Sequence, residues 1–219
     1  AMSRYATMLE IGLGIPSEKK EAAKYYKLAA DKGHDISMYQ YAVMLDNGDG
    51  IKPNKTKAAD YYKQAADKGH IISMYLYAQM ANNGDGIQKN EKEAAKYFKM
   101  AADKNDSEAK FKYGLLLLKG IGVKKNPIKG LELIRDVGEQ GNMVAESIYA
   151  YELYTGENVQ QNKRLAAQYF KLAANNGDDE SMYMYAMMSK KGEGDLIINL
   201  QESARYFKMA ADNGNVPST

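Results

Sequence analysis

The sequence predicts an all-α protein made of six stacked helix–turn–helix units, and two observations carry that prediction. Tyr5, Tyr41, Tyr77, Tyr113, Tyr149 and Tyr185 recur every 36 residues, and Gly12, Gly48, Gly84, Gly120, Gly156 and Gly192 recur at the same interval. A fixed period of this length marks units that bury their apolar faces on one another rather than around one globular core. The units are expected at residues 1–35, 36–71, 72–107, 108–143, 144–179 and 180–215.

The first helix of a unit is read from its apolar spacing. Met38, Tyr41 or Ala42, and Leu45 fall at i, i+3/i+4 and i+7, one stripe of an α-helix. Gly48 follows, and a glycine at that point supplies the left-handed conformation that ends a helix without a Cβ clash. Asn158 replaces the second glycine of the turn in the fifth copy, as the residue that otherwise best tolerates positive φ.

The second helix begins after Asn54, Asn90, Asn126 and Asn162, each placed to accept a bond from a free first-turn N–H. Pro127 suits the first helical position, and Asn90 with Glu93 resembles a capping box. Ala58, Tyr61 or Tyr62, Ala65 and Ala66 mark its buried stripe. Gly33, Gly69, Gly141, Gly177 and Gly214 close it, with Asn105 in that place in the third copy. First helices of about 11–12 residues and second helices of about 14 follow from these limits.

Small residues stand where the helices should meet. Ala6, Ala42, Ala78, Gly114, Ala150 and Ala186 each follow a periodic tyrosine, and alanine pairs recur on the second helix. The fourth copy diverges most, with Leu131, Ile134, Val137 and Gly138 in its second helix, so its core should pack differently. Tyr206-Phe207 answers Tyr97-Phe98 at three periods plus one, which puts a one-residue insertion in the loop from Glu193 to Leu200.

Composition narrows the functional classes. The 30 basic and 28 acidic residues give a net charge of +2 without blocks, which argues against gripping nucleic acid through phosphates. No apolar run reaches the length of a membrane span, so no insertion by this segment is expected. The chain has no cysteine, hence no disulfide, and together with the lack of a visible signal peptide this favours a cytoplasmic location. Residue 1 falls inside a unit, so the chain reads as part of something longer whose targeting segment is not visible.

At the level of whole motifs, the chain resembles the Sel1-like repeat family, relatives of tetratricopeptide repeats. Ala109, Tyr113-Gly114, Gly120-Ile121-Gly122-Val123 and Asn126 carry the resemblance, with Lys57-Ala58, Tyr61-Tyr62, Ala65-Ala66 and Gly69. It spans essentially the whole chain. The family's usual leucine is tyrosine here and its usual first-helix tyrosine is Leu45 or a counterpart, a large-for-large exchange. The resemblance implies a right-handed α/α superhelical solenoid that serves as a protein–protein interaction scaffold or adaptor. Cysteine pairs that staple some secreted members are missing here.

If the first helices line a concave face, as in tetratricopeptide relatives, their remaining stripe is the recognition surface for a peptide or partner helix. It runs through Tyr39 and Val43, Tyr75 and Gln79, Phe111, Leu115 and Leu118, Tyr151 and Tyr154, and Tyr183 and Met187. Large aromatic anchors lose little rotamer entropy on binding, which suits them to an interface. Two readings of the strip stand, a binding surface or a completion of the inter-repeat core. The periodic tyrosines from Tyr5 to Tyr185 are expected to be core.

No catalytic, metal or cofactor site is predicted. His34 and His70 occupy the same inter-repeat turn and are expected to cap it. The Gly-x-Gly turns lack the Lys-Ser/Thr of a P-loop, and Asp46-Asn47-Gly48-Asp49-Gly50 lacks calcium-loop ligand spacing. Two rival functions remain: a spacer or regulatory arm of a multidomain enzyme such as a kinase, and a solenoid that binds a small ligand or glycan. The first helix has no evident cap and Asn215-Val216-Pro217-Ser218-Thr219 adds no polar terminal helix, so flanking sequence or end-to-end self-association is expected.

Overall fold

Every unit folds as an antiparallel helix pair because a glycine turn stops one amphipathic stretch and, in all units but the first, an asparagine starts the next. The structure, a computed structural model, describes residues 1–214; the segment Asn215-Val216-Pro217-Ser218-Thr219 lies outside the described residues. Twelve helices are present among the described residues, with no strand. They are α1 (Met2–Ile11), α2 (Lys19–Ala30), α3 (Asp35–Asn47), α4 (Lys55–Asp67), α5 (Ile71–Asn83) and α6 (Glu91–Ala102). Then come α7 (Ser107–Lys119), α8 (Pro127–Gly138), α9 (Met143–Thr155), α10 (Lys163–Asn175), α11 (Asp179–Lys191) and α12 (Leu200–Asp212). The fold is thus an all-α solenoid of six helix pairs. The first helices run 13 residues apart from α1, longer than the spacing suggested, and the second helices run 12 or 13.

The chain forms two compact units. Unit 1 holds Ala1–Ala109 with Ile121–Val123, and unit 2 holds Lys110–Gly120 with the chain from Lys124 onward.

Both helix boundaries follow from local chemistry. All six periodic glycines are left-handed, with φ between 69° and 75°. Asn54, Asn90, Asn126 and Asn162 each accept a backbone N–H through Oδ1, and Asn199 does the same one residue late in the sixth copy. The extra residue is absorbed by the 192–199 loop, where Asp195 takes φ 61°. Asn105 is left-handed in its glycine position, φ 64°.

Two local expectations are corrected. Asn158 is not left-handed; instead its Nδ2 donates to Glu152 at 3.0 Å. The reciprocal half of the Asn90–Glu93 capping box does not form. The Asn90 N–H donates to the Ala81 carbonyl at 2.7 Å, while the Glu93 carboxylate turns to Lys63 of the preceding repeat.

Within a repeat, aromatic edges lock the two helices. Tyr5–Tyr25, Tyr41–Tyr61, Tyr77–Tyr97, Tyr149–Tyr169 and Tyr185–Tyr206 pack edge to face, with centroids 4.8–5.0 Å apart. The fourth repeat has Leu133 in place of the second ring and meets its partner helix differently. There a Cβ added to Gly130 would lie 2.7 Å from the Gly114 carbonyl oxygen, so α7 and α8 touch through backbone. The periodic tyrosines Tyr77, Tyr149 and Tyr185 are buried, and Tyr41 and Tyr113 are half-buried. Tyr5 is 43% exposed, because no described helix packs on the outer side of α1.

Histidine serves as an N-cap where other repeats use Asp or Asn. His70 Nδ1 accepts the Ser73 N–H at 3.3 Å, and His34 does the same for Ser37 at 3.2 Å. The equivalents are Asp106, Asn142 and Asp178. Burial against surroundings that include the Tyr39 ring, 4.7 Å away, pulls the His70 pKa below its ordinary value. A depressed histidine pKa means the unfolded chain binds more protons below about pH 6.5, so stability present above that pH is lost as pH falls. The unfolding midpoint should therefore drop between about pH 7.5 and 5.5, and His70→Asn should flatten that dependence. At neutral pH, His70→Ala should cost about 1 kcal/mol, the usual worth of an N-cap, as read by urea unfolding.

Candidate partner-binding strip

All the residues assigned to the strip lie on first helices, and their surroundings differ between repeats. In unit 1, Tyr39 and Val43 on α3 and Tyr75 and Gln79 on α5 are half-buried. Tyr39 leans on Tyr62, Tyr75 sits edge-on to Phe98 at 5.7 Å, and the Gln79 amide donates to the Tyr75 hydroxyl at 2.8 Å. Each ring thus keeps one side on its own second helix, and Tyr39 also packs on the His70 imidazole.

In unit 2 the structure moves Phe111 and Leu118 off the strip. Both are buried, at 8% and 7% exposure, in the core cluster with Ile134, Leu153 and Phe170. Their apolar side chains fill space among the helix pairs, which is why an i, i+3/i+4 pattern alone did not distinguish them from surface anchors. Leu115 and Tyr154 pack against this cluster as half-buried residues, and Tyr183 and Met187 are also half-buried. Tyr154 faces Phe170 at 6.3 Å, and Tyr183 faces Phe207 at 5.6 Å.

Tyr151 is the exception. It stands 48% exposed on α9, at the side of a hollow of about 230 Å³ lined also by Ser147, Ile148, Glu152, Phe170 and Glu180. Ile148 and Phe170 supply apolar lining, while Glu152 and Glu180 place carboxylates beside it. Glu146, six residues before Glu152 on α9, is buried and held by the Asn176 amide at 3.1 Å. Burial raises the Glu146 pKa. Sequence spacing marked Tyr151 but missed its α9 neighbours Ile148 and Glu152, and Glu180 of α11 joins them only through the packing of the helices.

Among the described residues no group of three or more His, Asp or Glu side chains is placed to hold a metal ion. No helix is long and apolar enough to cross a membrane, among the same residues.

The Sel1 repeat family matches the chain over residues 1–34, 35–70, 71–106, 107–136, 144–178 and 179–215. No functionally curated protein matches the sequence. Among solved structures, the chain is similar to c5321, a protective antigen present in uropathogenic Escherichia coli strains that displays an SLR fold. The identity is 23% and the TM-score 0.90, over 98% of this chain and 46% of that one. The chain therefore spans about half the length of c5321. It is also similar to a Sel1 repeat protein from Oxalobacter formigenes, at 25% identity and TM-score 0.73, over 97% of this chain and 86% of that one. Sel1 repeat proteins are generally non-catalytic protein–protein interaction scaffolds. With the family pattern recurring in six places along twelve paired helices, the chain belongs to the Sel1 repeat family.

Proposed function

We propose that this chain is an interaction scaffold whose first-helix strip receives a protein segment, with the main anchor at the Tyr151 hollow. The observation that supports it is the pairing of an exposed tyrosine with an apolar recess of side-chain size. Tyrosine at such a place has an apolar ring to bury and a hydroxyl that stays hydrated until a partner covers it. The neighbouring Glu152 and Glu180 favour a partner that sets an apolar side chain beside a lysine or arginine. Tyr154, Leu115, Tyr183 and Met187 extend the same surface along unit 2, and Tyr39, Val43, Tyr75 and Gln79 form its counterpart in unit 1.

Peptides selected from a random display library on the intact chain provide the test. Those that bind should be rich in apolar residues next to basic ones, and Tyr151→Ala should weaken them by about tenfold or more, a hot-spot effect. Leu115→Ala should give a smaller loss. Unchanged affinity in both variants, with helix content intact by circular dichroism, would remove the strip from consideration.

A further inference from the structure

The outer faces of α1–α2 and of α12 match each other at the same places in the 36-residue period that join neighbouring repeats inside each unit. Inside the units, a second-helix lysine reaches a glutamate of the next repeat: Lys63 meets Glu93, and Lys171 meets Glu202 at 2.8 Å. The same ammonium groups sit 5.1 Å from the centroids of Tyr77 and Tyr185. A tyrosine hydroxyl of the next repeat donates back, Tyr61 to Asp31, Tyr97 to Asp67 and Tyr206 to Asn175. Carried one step beyond α12, the period assigns these roles to Lys208 and Asp212 on one face. On the other they fall to Glu21, Tyr5 and Tyr25. Lys208 and Asp212 are exposed, and Glu21 pairs with Lys24 of its own helix.

At a third place both outer faces change chemistry together. At three internal junctions the first residue of a second helix, a lysine, sits on an acid beside the next repeat's turn, whereas α6 begins with Glu91 and α8 with Pro127. These pairs are Lys19–Asp49 at 2.8 Å, Lys55–Asp85 at 2.6 Å and Lys163–Glu193 at 3.0 Å. The corresponding outer residues are Leu200 and Leu13, 64% and 61% exposed. An ion pair has become two leucines, one on each face. Gly14 beside Leu13 keeps φ 73°, and a Cβ there would meet nothing within 4 Å, whereas its counterparts Gly50, Gly86 and Gly194 press on the residue that Leu200 replaces. Ala204 and Ala211 are likewise exposed, where Ala59, Ala66, Ala167 and Ala174 are buried.

We propose that α12 of one copy stacks on α1 and α2 of a second copy, repeating the inter-repeat junction with Leu200 on Leu13, Lys208 on Glu21 and Tyr25 on Asp212. A second copy is the occupant because it supplies a glutamate for Lys208, a hydroxyl donor for Asp212 and a leucine for Leu200, at the spacing the chain already uses. The contact is heterologous, joining two different faces, so a symmetric pair does not satisfy it. It leaves the Tyr151 surface untouched and stands apart from the reading of that surface.

Analytical ultracentrifugation of the 219-residue chain tests it. Mass should rise with concentration, and Met8→Glu on one face or Ala211→Arg on the other should each give a monomer with unchanged circular dichroism. Mixed together, these two variants should form a one-to-one dimer through their intact faces, and growth should stop there. Leu13→Asp should weaken association by about tenfold or more, and adding Leu200→Lys to it should restore association by rebuilding the internal ion pair. A single monomeric mass up to about 1 mM, a dimer that persists in either single-face variant, or no recovery in the Leu13→Asp/Leu200→Lys chain would overturn the proposal.

Discussion

Gly122→Ala should destabilise the protein by about 3 kcal/mol, while the same change at Gly14 should cost only about 1 kcal/mol. The two glycines occupy the same place in the period and share a left-handed backbone, with φ 65° and 73°. Alanine at either pays the strain of positive φ. Only at Gly122 does a neighbour intrude: its Cβ would stand 2.1 Å from the Glu91 carbonyl oxygen and 2.8 Å from the Lys92 nitrogen. Those are main-chain atoms of the preceding second helix, so no rotamer change relieves the contact and the turn itself must shift. The difference between the two variants in urea unfolding, measured at low protein concentration, isolates the close approach from the strain. Equal losses would mean that the approach contributes nothing.

Phe170→Ala should remove about 3–5 kcal/mol, the range for emptying a large buried aromatic site. Phe170 is 1% exposed and belongs to the core cluster of unit 2 with Ala150, Leu153, Met182 and Tyr185. It also faces Tyr154 across 6.3 Å and lines the Tyr151 hollow. The cavity left behind would therefore open toward the proposed anchor, and stability and peptide affinity should fall together. Amide exchange in α9, α10 and α11 reads the first effect and peptide titration the second. Retained protection in those helices would contradict the packing described.

The helices, their ends and their pairing were legible from the residues because each is decided within a few positions of itself. Gly48 stops a helix by its own φ, Asn54 starts one through its own side chain, and His70 caps through its own imidazole. The displaced loop before Asn199 was legible for the same reason. Contacts between repeats were harder to read. Glu93 looked like half of a capping box until Lys63, one repeat earlier, claimed its carboxylate. Asn158 looked like a left-handed residue, but its amide instead reaches Glu152. Phe111 and Leu118 lie on the same first-helix stripe as Leu115, the counterpart of Tyr151, yet they are core while Tyr151 is exposed, because the depth of a side chain depends on its neighbours' bulk. The fourth repeat shows that dependence most clearly, since glycines at 114 and 130 bring α7 and α8 together through main chain.

The turn glycines that touch the preceding second helix have a consequence for how such a chain can change. At Gly50, Gly86 and Gly122 the turn lies against the first residue of the preceding second helix, on its main chain and, at Gly50 and Gly86, also its Cβ, so the approach does not depend on the outer part of any side chain. That contact works as a mechanical stop, setting the pitch between neighbours whatever decorates the exposed faces. Residues on those faces are then free to drift toward new specificities while the spacing that presents them stays constant, much as type can be reset on a printing block whose grid is cast in metal.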